Sequence, residues 1–141
     1  MAEIATTERA QAELIRDFVS RRTWALVGFS SNPGKYGNII YHDLRRAGYR
    51  IYAVNPKGGE YEGAMVHRSL AELPERPEVV DVVVPPRATE EVVRECAALG
   101  ITRVWMQPGA ESMEAIGFCR DNGIEVVYYA CAMVHKRRWE V

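Results

Sequence analysis

Four short stretches carry most of the residues whose types suit ligand chemistry, and each follows an apolar run. The first is Gly28-Phe29-Ser30-Ser31-Asn32-Pro33-Gly34-Lys35-Tyr36-Gly37. The others are Asn55-Pro56-Lys57-Gly58-Gly59, Val84-Pro85-Pro86-Arg87 and Gln107-Pro108-Gly109. Glycines in such a loop let backbone amides approach an anion, and a helix opening behind them adds N–H donors and a favourable dipole. Gly28, Gly34 and Gly37 stand between a strand-like run and a helical one, although their spacing departs from G-x-G-x-x-G. Ser30 and Ser31 offer hydroxyls and Lys35 a charge, with Phe29, Asn32 and Tyr36 on the same loop. The same glycines would also serve a tight strand-to-helix turn that binds nothing.

The second stretch separates ligand classes. A site for NAD places an Asp or Glu roughly 20 residues beyond its glycines to hold the ribose hydroxyls. Here Asn55, Pro56 and Lys57 stand instead. A carboxylate there would repel a phosphorylated ribose, whereas Lys57 would attract one. The site therefore suits a nucleotide with an extra phosphate on its adenosine, coenzyme A or its rival NADP. Val84, Pro85 and Pro86 would end a strand ladder and offer a flat apolar wall to an adenine or a pantetheine arm. Gln107 could supply a carboxamide, and Pro108-Gly109 a turn of close approach.

Several chemistries have no support. There is no G-x-S-x-G nucleophile elbow, and Gly34-Lys35-Tyr36 lacks the Ser or Thr of a P-loop. His42, His67 and His135 are scattered without metal spacing, and His42 is expected to be a surface or packing residue. Cys96, Cys119 and Cys131 form neither a zinc pair nor a disulfide framework. At least two of them should be packed inside as reduced thiols. Cys131, just after the last strand, is either a buried thiol or one facing a bound thioester.

The elements that position these loops follow from punctuation. An amphipathic helix is predicted over about 5–19 and apolar strands over 24–29, 49–54, 79–84, 101–106 and 124–129. Helices fill the stretches from Gly37 to Ala47, about 88–99 and about 111–121. Gly48, Gly100 and Gly123 each stop a helix directly before an apolar residue. Ser69-Leu70-Ala71-Glu72 reads as a capping box for one short turn. Strands alternating with helices mean βαβ units, hence an α/β, Rossmann-like three-layer sandwich with about five parallel strands and helices on both faces. The order 3-2-1-4-5 is the expected one, and ligands then bind beyond the carboxyl ends of the strands.

Composition bounds the rest. The chain has 141 residues, 48% apolar and 26% charged. That is one domain's worth, able to bury about two-thirds of its unfolded surface. Lys plus Arg number 18 and Asp plus Glu 19, for a net charge of −1, which excludes a field-driven nucleic-acid binder. No apolar run is long enough for a membrane span, and Glu3, Glu8 and Arg9 interrupt any signal-peptide core. A cytoplasmic protein is the expectation. Lys136-Arg137-Arg138 reads as a solvated charged end.

Four stretches in register resemble the CoA-binding domain family. They are Val27-Gly28-Phe29-Ser30, Tyr52-Ala53-Val54-Asn55-Pro56-Lys57, Asp81-Val82-Val83-Val84-Pro85-Pro86 and Val104-Trp105-Met106-Gln107-Pro108-Gly109. The family includes small stand-alone bacterial proteins of the YccU type and the N-terminal domain of the succinyl-CoA synthetase alpha subunit. The likeness runs from about residue 10 to 135 and implies a Rossmann-like fold holding coenzyme A. By position, Ser30, Ser31, Asn32 and Gly34 fall on the pyrophosphate loop, and Lys57 falls on the synthetase's CoA-contacting lysine. Cys131 matches a cysteine carried by stand-alone members. The synthetase uses a phosphohistidine from a second domain for which this sequence has no counterpart, so ligase activity is not implied. Ala130, Ala132 and Met133 stand where stand-alone members carry charged residues. The resulting expectation is a non-catalytic coenzyme A or acyl-CoA binder. Its rivals are an NADP-dependent reductase and an acyl-CoA-sensing interaction module whose protein partner the sequence does not name.

Overall fold

A computed structural model describes residues 2–139, with side chains from Ala10 onward. Along the chain run α1 (Ala2–Val19), β1 (Thr23–Val27), α2 (Tyr36–Arg46), β2 (Arg50–Val54), β3 (Gly59–Tyr61) and β4 (Ala64–His67). A 3-10 turn (Leu70–Glu72) leads to β5 (Val79–Val82), α3 (Pro86–Leu99), β6 (Arg103–Met106), α4 (Met113–Asp121), β7 (Glu125–Val127) and α5 (Ala132–His135). One sheet takes all seven strands in the order β3-β4-β2-β1-β5-β6-β7. Every pairing is parallel except the β3–β4 hairpin.

The three-layer α/β sandwich is as expected, but the strand order needs correcting. The strand at 79–82 lies beside β1, not outside β2. The place beyond β2 belongs to β4, a strand the sequence reading left out. With β4 counted, the parallel part runs β4-β2-β1-β5-β6-β7, the doubly wound order of the dinucleotide-binding folds. The hairpin escaped because β3 and β4 are three and four residues long, with Val66 as the one buried residue in them. Its two-residue turn holds Glu62 at φ 51° and Gly63 at φ 81°, the paired left-handed conformation that suits tight hairpins.

Both sheet faces are covered, which is why the central strands read as unbroken apolar runs. Phe18 of α1 and Ile40 and Leu44 of α2 pack with Trp24, Leu26 and Trp105 on one face, where Ala132 of α5 joins them. Val93 and Cys96 of α3 and Ile116 and Cys119 of α4 pack with Val80, Val82, Val104 and Met106 on the other. Trp24 and Trp105 meet at 5.8 Å between ring centroids and are fully buried. Burying such a pair contributes several kcal/mol before packing geometry is counted.

Helix ends follow local chemistry. Pro85 and Pro86 begin α3 as cap and first residue, where a missing N–H costs nothing, so this helix starts earlier than expected. Ser112 caps α4 by accepting from the Ala115 N–H at 3.2 Å. Ser69 makes no such side-chain bond, and Glu72 instead accepts from the Arg68 N–H at 3.1 Å. The basic tail is not simply solvated. Lys136 pairs with Asp43 at 2.8 Å, the Trp139 N–H donates to the Ala47 carbonyl at 2.7 Å, and Arg137 lies over the Trp139 ring.

Candidate functional site

The carboxyl ends of β1, β2, β4 and β5 share one edge of the sheet, and the chain reverses direction across the sheet between β1 and β5. A cleft of about 760 Å³ opens there. From the first loop it is lined by Gly28, Phe29, Ser30, Lys35, Tyr36 and Gly37. Asn55 and Pro56 follow from the second, and Val83, Val84 and Pro85 from the third.

Two glycines make this edge possible. A Cβ on Gly37 would sit 2.1 Å from the Gly28 carbonyl oxygen, so only glycine lets α2 start against the end of β1. A Cβ on Gly28, at φ +107°, would sit 2.4 Å from the Val83 carbonyl oxygen. Gly34 has no such constraint, since its Cβ would meet only Asn32 Oδ1 at 3.4 Å. No side chain caps α2, whose cap residue is Lys35, so its first N–H groups remain for the cleft that Lys35, Tyr36 and Gly37 line.

Much of the loop's polarity shapes the loop itself. Ser30 Oγ accepts from the Asn32 N–H at 3.1 Å, and Asn32 Oδ1 from the Gly34 N–H at 2.9 Å. Asn38 Nδ2 donates to the Ser30 carbonyl at 2.8 Å. Asn55 ties the first two loops together, Nδ2 donating to the Phe29 carbonyl at 2.7 Å while Oδ1 accepts from the Lys57 N–H at 2.8 Å.

Not every residue picked from sequence reaches the cleft. Asn32 and Gly34 do not line it. Ser31 and Lys57 border an adjoining groove of about 170 Å³, beside Glu60 and Tyr61. Pro86, Gln107, Pro108 and Gly109 border a depression of about 390 Å³ across the Val83–Pro85 wall. Gln107 is fully buried and engaged at both ends, contrary to a carboxamide offered to a ligand. Its Nε2 donates to both oxygens of Asp81, at 2.8 and 3.0 Å, and its Oε1 accepts from the Ala132 N–H at 3.4 Å. Asp81 has no exposure, and burial pushes its pKa up to about 8 against the opposing pull of the Gln107 bond.

Tyr36 hydroxyl and Cys131 sulfur lie 2.9 Å apart, at the end of α2 that lines the cleft. Burial first, and the Cys131 bond second, raise the Tyr36 pKa above its ordinary value. His42 packs on α2 with Nε2 2.8 Å from the Tyr61 hydroxyl. Among the described residues no group of three or more His, Cys, Asp or Glu could hold a metal ion. No described helix is long and apolar enough to cross a membrane.

The cleft also contains residues that sequence reasoning missed. Arg68 and Ser69 come from the exit of β4, and Ala88, Glu91, Val92 and Glu95 from one face of α3. The helical spacing of 88, 91, 92 and 95 was a readable signal. Arg68 and Ser69 became readable only with β4.

A family model described as "CoA binding domain" matches residues 22–137. The chain belongs to the CoA binding domain family. Among curated relatives, the alpha subunit of ADP-forming acetate–CoA ligase I from Pyrococcus furiosus is 37% identical over 83 residues. That match covers 55% of this chain and 18% of the ligase subunit, so the chain spans less than a fifth of this ligase relative. A solved conserved hypothetical protein from Pyrococcus furiosus has 43% identity and a TM-score of 0.79, covering 82% of this chain and 99% of that one. A hypothetical protein from Pyrococcus horikoshii superposes with a TM-score of 0.83 at 34% identity, covering 87% of each chain. The family resemblance drawn from the four loops and the Rossmann-like fold are therefore both met.

Proposed function

We propose that this CoA binding domain holds coenzyme A or an acyl-CoA as a binder and does not itself turn it over. The observation that carries the reading is the cleft of about 760 Å³ at the sheet's ligand edge, closed on one side by the uncapped start of α2. That volume falls within the range of small-ligand and cofactor sites. The pyrophosphate rests against the first N–H groups of α2, with Ser30 and Lys35 beside it. Val84 and Pro85 supply the apolar wall, and the adenosine lies toward Asn55 and Pro56. The ribose phosphate then sits near the Asn55–Gly58 turn.

The ligase names of the relatives support the ligand class. In the succinyl-CoA synthetase that the sequence resembles, the catalytic group comes from another domain.

Melting curves with coenzyme A, dephospho-coenzyme A, NADP and NAD test the proposal, because a ligand that binds only the native state raises Tm. Coenzyme A should give the largest rise, roughly 8–10 °C at 100 times its Kd for a chain of this size. Stabilisation by NADP alone would replace the reading with a reductase. Equal melting with every nucleotide would leave a ligand-free interaction module.

A further inference from the structure

β4 runs parallel to β2, pairing Ala53 with Val66 and Val54 with His67. The chain therefore leaves both strands at the same edge, and Arg68 is the first residue out of β4. The two exits are tied, since the Asn55 N–H donates to the His67 carbonyl at 2.8 Å. The Arg68 N–H is held in turn by Glu72 Oε2 at 3.1 Å. The side chain lies across the Asn55–Gly58 turn. A Cβ on Gly58 would come within 2.9 Å of Arg68 Nε and 3.0 Å of its Cγ, so glycine leaves the room this side chain occupies.

Arg68 lines the 760 Å³ cleft, whereas Lys57 lines the adjoining groove of about 170 Å³, which shares Phe29 and Asn55 with the cleft and also contains Glu60. A groove of that size is below the range that encloses a nucleotide. Among the described residues no carboxylate forms an ion pair with the Arg68 guanidinium. Glu91 and Glu95 of α3 line the same cleft, and a phosphate placed beside them would be repelled. A guanidinium presents paired donors that match a phosphate in two bonds, which an ammonium cannot do.

We propose that Arg68, rather than Lys57, reads the phosphate on the ribose and so makes the cleft select a 3′-phosphorylated adenosine over an unphosphorylated one. This rests on the coenzyme A reading above. Lys57 is then a bystander on the outer side of the turn.

Calorimetric titration with coenzyme A and dephospho-coenzyme A, which differ only in that phosphate, separates the possibilities. The wild-type protein should favour coenzyme A by about tenfold or more, as for a charge-assisted phosphate contact. Arg68→Gln should bring the ratio of the two dissociation constants near one, with dephospho-coenzyme A affinity held within about twofold. Lys57→Gln should keep the wild-type ratio. Loss of the preference in Lys57→Gln with its retention in Arg68→Gln would return the role to Lys57 and overturn the proposal. Equal wild-type affinity for the two ligands would overturn it while leaving the coenzyme A reading standing. Binding of neither would end both. Arg68 is exposed, and an unchanged melting curve for Arg68→Gln without ligand checks that its fold is intact.

Discussion

Replacing Asp81 with asparagine should change how stability depends on pH, and the size of the change can be worked from the structure. Asp81 sits mid-strand in β5 between Leu26 of β1 and Trp105 of β6, with no exposure. Its hydrogen bonds come from Gln107 Nε2. Burial moves its pKa from 3.8 to about 8, so the folded protein holds a proton that the unfolded chain releases. The folded form thus binds more protons throughout that window. The stability tied to this proton is complete below the ordinary carboxylate value and is lost as pH rises toward about 8. The loss runs at up to about 1.4 kcal/mol per pH unit.

Asparagine accepts the same Gln107 bond and does not ionise. The stability of Asp81→Asn relative to wild type should therefore rise by roughly 2–3 kcal/mol between about pH 5.5 and 7.5, and level off above about 8. Groups shared by both proteins cancel in this difference. Asp17 is one, its burial outweighed by hydrogen bonds from Arg21 and Arg103 so that its pKa is lowered. Its contribution is lost only as pH falls through that lowered value, outside the window. Urea titrations followed by the fluorescence of buried Trp24 and Trp105, repeated across this range, measure the difference. Parallel pH profiles for the two proteins would refute the argument, because they would mean that Asp81 keeps its charge inside the fold.

Two further outcomes follow from packing and burial. Gly37→Ala should destabilise the protein by about 1–3 kcal/mol or more and weaken nucleotide binding with it, since the added Cβ meets the backbone carbonyl of Gly28 and the clash cannot relax through a rotamer. Gly34→Ala should stay within about 0.5 kcal/mol of wild type, and urea midpoints for the pair check both. Native alkylation with iodoacetamide should label half-buried Cys131 first and leave Cys96 and Cys119 unlabelled. Burial pushes the Cys119 thiol up to about 12 and raises Cys96 as well, so neither supplies thiolate. Equal labelling of all three by peptide mapping would contradict their inert packing.

What the sequence disclosed and what it hid divide along physical lines. The strands at β1 and β6 were readable because covered faces make their apolar runs nearly continuous, and those at β2 and β5 because one polar residue each, Arg50 and Asp81, leaves the apolar run legible. Gly48, Gly100 and Gly123 marked three helix ends, and all three adopt positive φ. The β3–β4 hairpin was not readable, since an edge pair of three and four residues with glycine around it has too few buried positions for a period to show. That omission shifted the order of the sheet and removed Arg68 and Ser69 from view. Gln107 was misread for a different reason. Its partner Asp81 belongs to a neighbouring strand, and a lone acid inside Val-Val-Asp-Val-Val-Val was itself a sign that some donor had to meet it.

The substitution of Asn55-Pro56-Lys57 for an acidic residue after β2 has a consequence beyond the loss of one carboxylate. Asn55 bonds the Phe29 carbonyl and the Lys57 N–H, so its side chain is held by the protein and does not replace the missing ribose acceptor. The acceptors in the cleft come instead from Glu91 and Glu95 of α3, while Lys35 and Arg68 stand on the loops after β1 and β4. Positive and negative groups thus line one cleft. A ligand with phosphate at two points on its adenosine has its charge matched when those phosphates lie beside Lys35 and Arg68. A dinucleotide with a free ribose has no ribose phosphate to offer Arg68. On the Arg68 proposal, the parallel pairing of β4 with β2, which carries Arg68 to this edge, sets the ligand preference of the site together with the glycine loop.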